Sequence, residues 1–70
     1  MKNAYTVVLP FRATTAISGR DRQFLPGETL LCDPAQPGET VVIEVEEFLF
    51  LTDRSTFESC CQWKNEGFVS

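Results

Sequence analysis

Histidine is absent from this 70-residue chain, which removes the commonest general base and the commonest neutral metal ligand. Basic residues are in deficit, with six Lys and Arg against ten Asp and Glu for a net charge of −4. A protein that grips phosphate backbones or anionic membranes needs the opposite balance, so nucleic-acid and membrane-surface binding are disfavoured. Long apolar runs are missing too; the longest is the four residues Phe48, Leu49, Phe50 and Leu51. That is far short of a membrane span or of a secretory signal, and the expectation is a complete soluble cytoplasmic protein. Cysteine is sparse and odd in number, at Cys32, Cys60 and Cys61. Reduced thiols packed as small apolar side chains fit that count better than a disulfide framework.

What remains is the composition of a folded domain, 43% hydrophobic and 23% charged. The length gives one small domain, residues 1–70, near the lower limit of what a single core stabilises, where self-association helps.

From residue 5 to residue 18 the chain alternates. Tyr5, Val7, Leu9, Phe11, Ala13 and Ile17 fall on one side, and Thr6, Arg12, Thr14 and Ser18 on the other. Period two predicts a half-buried strand, or two collinear ones broken at Pro10, which has no amide hydrogen for a ladder. Gly19, Arg20, Asp21 and Arg22 then form a polar cluster that predicts the tip of a long hairpin-like loop.

Two nearly identical stretches follow, PGETLL from Pro26 and PGETVV from Pro37. In each, proline presets the second position of a turn and glycine supplies the positive φ of the third, the type II requirement. Two copies are too few for a solenoid, so they read as one turn device used twice to start a strand. The second starts an alternating strand, residues 40–46, with Val41, Ile43 and Val45 on one side. Glu46-Glu47 is a tight turn or a bulge, and a hairpin to residues 48–52 is favoured. Residues 48–51 are apolar on both faces, which predicts a central strand or an oligomer contact.

After Thr52 the period changes. Asp53 or Ser55 can cap a helix, Phe57, Cys60 and Cys61 share a helical face, and Gly67 is a natural stop. The prediction is a short C-terminal helix, about 54–64, with the tail at Phe68 free to fray or pack. The fold class is mainly β, a small barrel or rolled antiparallel sheet of four or five strands.

This layout resembles an SH3-like barrel. Residues 5–11 stand where its first strand would be, 12–23 where its RT-type loop would be, and 34–38 where its n-Src-type loop would be. Phe24-Leu25-Pro26-Gly27-Glu28 resembles the lead-in to its second strand. The peptide-binding residues of the eukaryotic family have no counterparts: no tryptophan opens the strand at Thr40, and Arg20-Asp21-Arg22 replaces the acidic RT-type cluster. A helix stands where the family has its last strand. The resemblance implies an architecture and no ligand.

Several constellations are candidates for function. Arg20 and Arg22 flank Asp21 at the loop tip and suit an acidic partner. Trp63 is a candidate interface anchor. Phe48, Leu49, Phe50 and Leu51 are the candidate oligomer contact. Glu44, Glu46 and Glu47, with Glu39 and Glu58, are a candidate acidic face, Glu44 and Glu46 projecting the same way about 7 Å apart; it would suit a nucleic-acid mimic, but a plain solvated face is the preferred reading. Adjacent Cys60 and Cys61 would diverge by about 100° on a helix, poor geometry for zinc, and nothing basic adjoins them to favour thiolate. No metal, cofactor or enzyme activity is expected. The first functional expectation is a non-enzymatic adapter or regulatory subunit that binds another protein, with homo-oligomerisation in prospect. The second is an acidic inhibitor, and the third a thiol or metal protein.

Overall fold

Alternation, proline and paired turns translate, among the described residues, into a curled half-barrel of seven antiparallel strands and one short helix. The computed structural model describes residues 2–64; the expected stop at Gly67 and the tail at Phe68 lie outside them. The chain breaks around Pro10 into strand β1 (Asn3–Val7) and strand β2 (Phe11–Thr15), which are not collinear neighbours: three strands separate them in the sheet. They do not pair with each other. Strand β3 (Asp21–Phe24), β4 (Thr29–Cys32), β5 (Thr40–Val45) and β6 (Phe48–Asp53) follow. Helix α1 (Arg54–Cys60) leads into β7 (Cys61–Trp63), and the strand order is β3-β2-β6-β5-β4-β1-β7.

The inward set of the alternation builds the core. Tyr5, Val7, Phe11 and Ala13 are buried, and meet Phe24, Leu30, Cys32, Val41, Ile43, Phe50, Phe57 and Cys61. Aromatic packing organises this core in two nests. Phe24 stacks on Phe11 at 5.0 Å and meets Phe50 edge-on at 5.3 Å, while Tyr5 meets Phe57 edge-on at 4.8 Å.

Both proline–glycine turns form, with positive φ at Gly27 (98°) and Gly38 (85°), but they are secured differently. The first closes on itself, Glu28 N–H donating to the Leu25 carbonyl at 3.2 Å. The second is clamped from outside by Arg54, whose Nε donates to the Gly38 carbonyl at 2.8 Å and whose Nη2 donates to that of Gln36.

Two further expectations are corrected and an open alternative is decided. Seven strands replace four or five, because Asp21–Phe24 and Cys61–Trp63 both pair into the sheet. The helix ends at Cys60 instead of near residue 64, since β1 has a second edge that Cys61, Gln62 and Trp63 pair with. Glu46-Glu47 is the expected hairpin turn and no bulge: Val45 faces Phe48 across it, and both glutamates have positive φ, 51° and 73°. That is the type I′ sense that matches strand twist, built without the Asn or Gly that adopts it cheaply.

Candidate functional site

The loop between β2 and β3 is tied down by Thr15. Its N–H donates to the Arg20 carbonyl at 2.8 Å, its Oγ1 accepts from the Arg20 N–H at 3.0 Å, and its hydroxyl lies 2.6 Å from that of Ser18. These bonds leave Ile17 at the apex with 97% of its surface exposed. Presented so fully by the loop, this isoleucine is not packed against the core of the described residues.

The β5–β6 hairpin ends beside this loop. Beyond the paired residues of β2 and β6, Ala16 N–H donates to the Leu49 carbonyl at 2.9 Å, which carries the pairing out to the tip. Phe48 and Leu49 are 64% and 44% exposed there. Between Ile17, Ser18 and Arg20 on one side and Glu47, Phe48 and Leu49 on the other runs a groove of ≈ 450 Å³. Phe48 also lines a neighbouring hollow with Thr15, Arg22, Glu46 and Phe50. Contiguous apolar surface rimmed by polar groups is the usual form of a contact site. Among the described residues, Arg20, Glu46 and Glu47 enter no ion pair, so the rim charges are free to meet another molecule.

The structure distributes the sequence-predicted residues unevenly. Arg20 is exposed on the groove. Arg22 is not at the tip; it lies on β3, half-buried, paired with Glu28 at 2.9 Å. Phe48 and Leu49 are on the groove, Leu51 is on the outer sheet face, and Phe50 is buried in the core. Glu44 stays on β5 and pairs with Lys2, whereas Glu46 leaves the strand for the turn, so the two do not share a strand face. Trp63 is 62% exposed on β7, at the other end of the strand order from β3.

The sequence pattern does not mark Ile17 as a site residue. Ile17 continued the inward alternation on paper, and the only hint of its exposure was the Ser18-Gly19 that follows it. Glu47 is legible as a member of the candidate acidic face; its place in the wall of this groove is not.

The cysteines are free, Cys32 and Cys61 buried and Cys60 partly so. Burial, reinforced by Cys60 and Cys32 nearby, pushes the Cys61 thiol up to about 12, and burial raises that of Cys32. Both therefore stay protonated near neutral pH, the opposite of an activated nucleophile. Burial also raises the Tyr5 hydroxyl, and the Ala35 N–H holds the Asp33 carboxyl below its ordinary range. Among the described residues no group of three or more Cys, Asp or Glu is placed to hold a metal ion, and no helix is long and apolar enough to cross a membrane.

Compared with known proteins, the chain gives no significant match to a family model, a curated protein or a solved structure. The geometry of the molecule itself has to carry the functional reading.

Proposed function

We propose that this protein is a non-enzymatic interaction module, an adapter or regulatory subunit, which binds a partner protein through the groove between the β2–β3 loop and the β5–β6 hairpin. One observation carries the reading: Ile17, Phe48 and Leu49 are exposed together on two tips already fixed to each other by the Ala16–Leu49 hydrogen bond. Backbone hydrogen bonds tie both tips before binding, so less backbone entropy opposes association. The strained turn supports it. Two glutamates at positive φ cost stability that Asn-Gly would spare, and strain of this kind collects at working surfaces.

The frame is best read as SH3-like. Its support is the strand order, with a long β2–β3 hairpin in the place of the RT-type loop. Strand β7, paired to β1 after a short helix, supplies the last strand that the sequence resemblance lacked. The three free cysteines suit a reducing compartment, in keeping with a cytoplasmic module. The alternative of an acidic mimic needs one face holding Glu44, Glu46 and Glu47; with Glu44 held by Lys2 on the strand and Glu46 and Glu47 in the turn, the groove has the better support.

A photo-cross-linking amino acid at position 17 or 48, in the cell of origin, tests the proposal. Covalent protein adducts are expected from both positions and not from position 63. Adducts from position 63 alone, or from none of the three, would overturn it.

A further inference from the structure

We infer that the occupant of this groove is a second copy of the same chain, the two related by a two-fold axis through the tips. The inference rests on the groove being an interaction surface and names what fills it.

A two-fold interface must be self-complementary, each feature of the patch finding its complement on the same patch. This surface meets that condition in shape. Ile17 projects almost wholly free from the loop wall, beside a groove whose opposite wall is Phe48 and Leu49. A copy turned through 180° sets loop against hairpin twice, so that each Ile17 enters the other copy's groove.

The charges meet it as well. The loop side of the rim carries a cation, Arg20, and the turn side carries anions, Glu47 with Glu46 beside it. Among the described residues none of the three is in an ion pair within the chain. Loop against hairpin brings each Arg20 to the partner's Glu47, giving two pairs at the rim. A uniformly acidic or basic partner would instead leave one side of the rim facing like charge. These pairs also offset the repulsion between two copies that each carry a net charge of −4.

The area suffices. The three apolar side chains present on the order of 400 Å² per copy, and with the polar rim two facing copies bury roughly 1,200 Å², the lower bound of a specific interface.

Sedimentation equilibrium of the full chain over a wide concentration range tests the inference. The expected result is a concentration-dependent rise to twice the chain mass. I17D, R20E and E47R should each shift the association at least tenfold toward monomer. All three positions are exposed or at the rim, and a native circular dichroism spectrum with a cooperative melt would show that each variant folds. Mixing R20E with E47R, or combining both changes in one chain, restores opposite charges across the two-fold and should restore the dimer. A wild-type chain that is monomeric throughout, or a dimer indifferent to I17D and to the charge exchange, would overturn the inference. If a monomeric chain still cross-links another protein from position 17, the interaction surface stands and only its occupant is wrong. If it cross-links nothing, both readings fail together.

Discussion

The guanidinium of Arg22 lies over the ring of Phe24, 4.5 Å from its centroid, and 5.7 Å from that of Phe50. The same group pairs with Glu28 at 2.9 Å, and the other Glu28 oxygen accepts the Leu25 N–H at 2.8 Å. One arginine thus closes the core over Phe24 and ties it to the first proline–glycine turn. R22A should lower the unfolding free energy by about 1–2 kcal/mol, through lost ring contact and lost cover of apolar surface. R22K keeps the charge without the planar face and should recover less than half of that. E28A should cost under about 1 kcal/mol through the ion pair, because both partners are partly exposed and screened. Urea titrations decide the matter. R22K as stable as the wild-type chain would mean that the planar ring contact contributes nothing.

Exchanging the strained turn for a relaxed one should move stability and association in opposite directions. The double variant E46N/E47G places residues that accept positive φ at both positions, which is expected to stabilise the fold by about 1–2 kcal/mol. It also removes the acidic rim. The thermal midpoint should rise while the apparent mass of the associated species falls. A variant that neither gains stability nor loses self-association would show that the turn is neither strained nor part of the contact.

How far the sequence disclosed this outcome depends on where a residue's environment is set. The inward positions of β1, β2 and β5 and both proline–glycine turns were legible, because period two and local turn chemistry act within a few residues. Asp21, Arg22 and Gln23 read as a polar loop. They form an edge strand only because β2 offers a partner, which local propensity cannot reveal. Cys61 fitted the helical stripe of Phe57 and Cys60, yet the second edge of β1 draws it into β7. At the site, Phe48 and Leu49 stood out as apolar residues with two faces to bury. Ile17 did not, since alternation that continues past the end of a strand no longer says which way a side chain points.

Gln36 acts as a substitute strand for Val42. Beyond Cys32 the backbone of β4 turns away from β5, and the Gln36 side chain takes its place: Nε2 donates to the Val42 carbonyl and Oε1 accepts the Val42 N–H, both at 2.9 Å. Q36A strips two ladder groups of their partner at once, and the expected loss is about 2 kcal/mol. Q36E keeps only an acceptor and should fall between. Hydrogen exchange by NMR gives the local reading, with the Val42 amide of Q36A exchanging at least tenfold faster relative to that of Ile43. Equal protection of the two amides in Q36A would mean that water replaces the side chain without loss.

The buried thiols should set an alkaline limit to stability. Cys61 is shifted upward from 9.0 to about 12, chiefly by burial and then by Cys60 and Cys32, and burial raises Cys32 as well. In the unfolded chain both ionise at their ordinary values. Below about pH 9 the two states hold the same thiol protons and these groups leave stability independent of pH. As pH rises from 9 toward 12 the unfolded chain gives up protons that the folded chain keeps, so the unfolded state binds fewer protons and stability falls. Tyr5, raised by burial from 10.0, steepens the fall at the upper end. Urea midpoints measured under reductant should therefore be level from pH 7 to 8.5 and decline by pH 10. C61A loses some packing at every pH, but it should decline less steeply between pH 9 and 10. An alkaline slope identical in C61A, C32A and the wild-type chain would mean that these thiols ionise in the folded state after all.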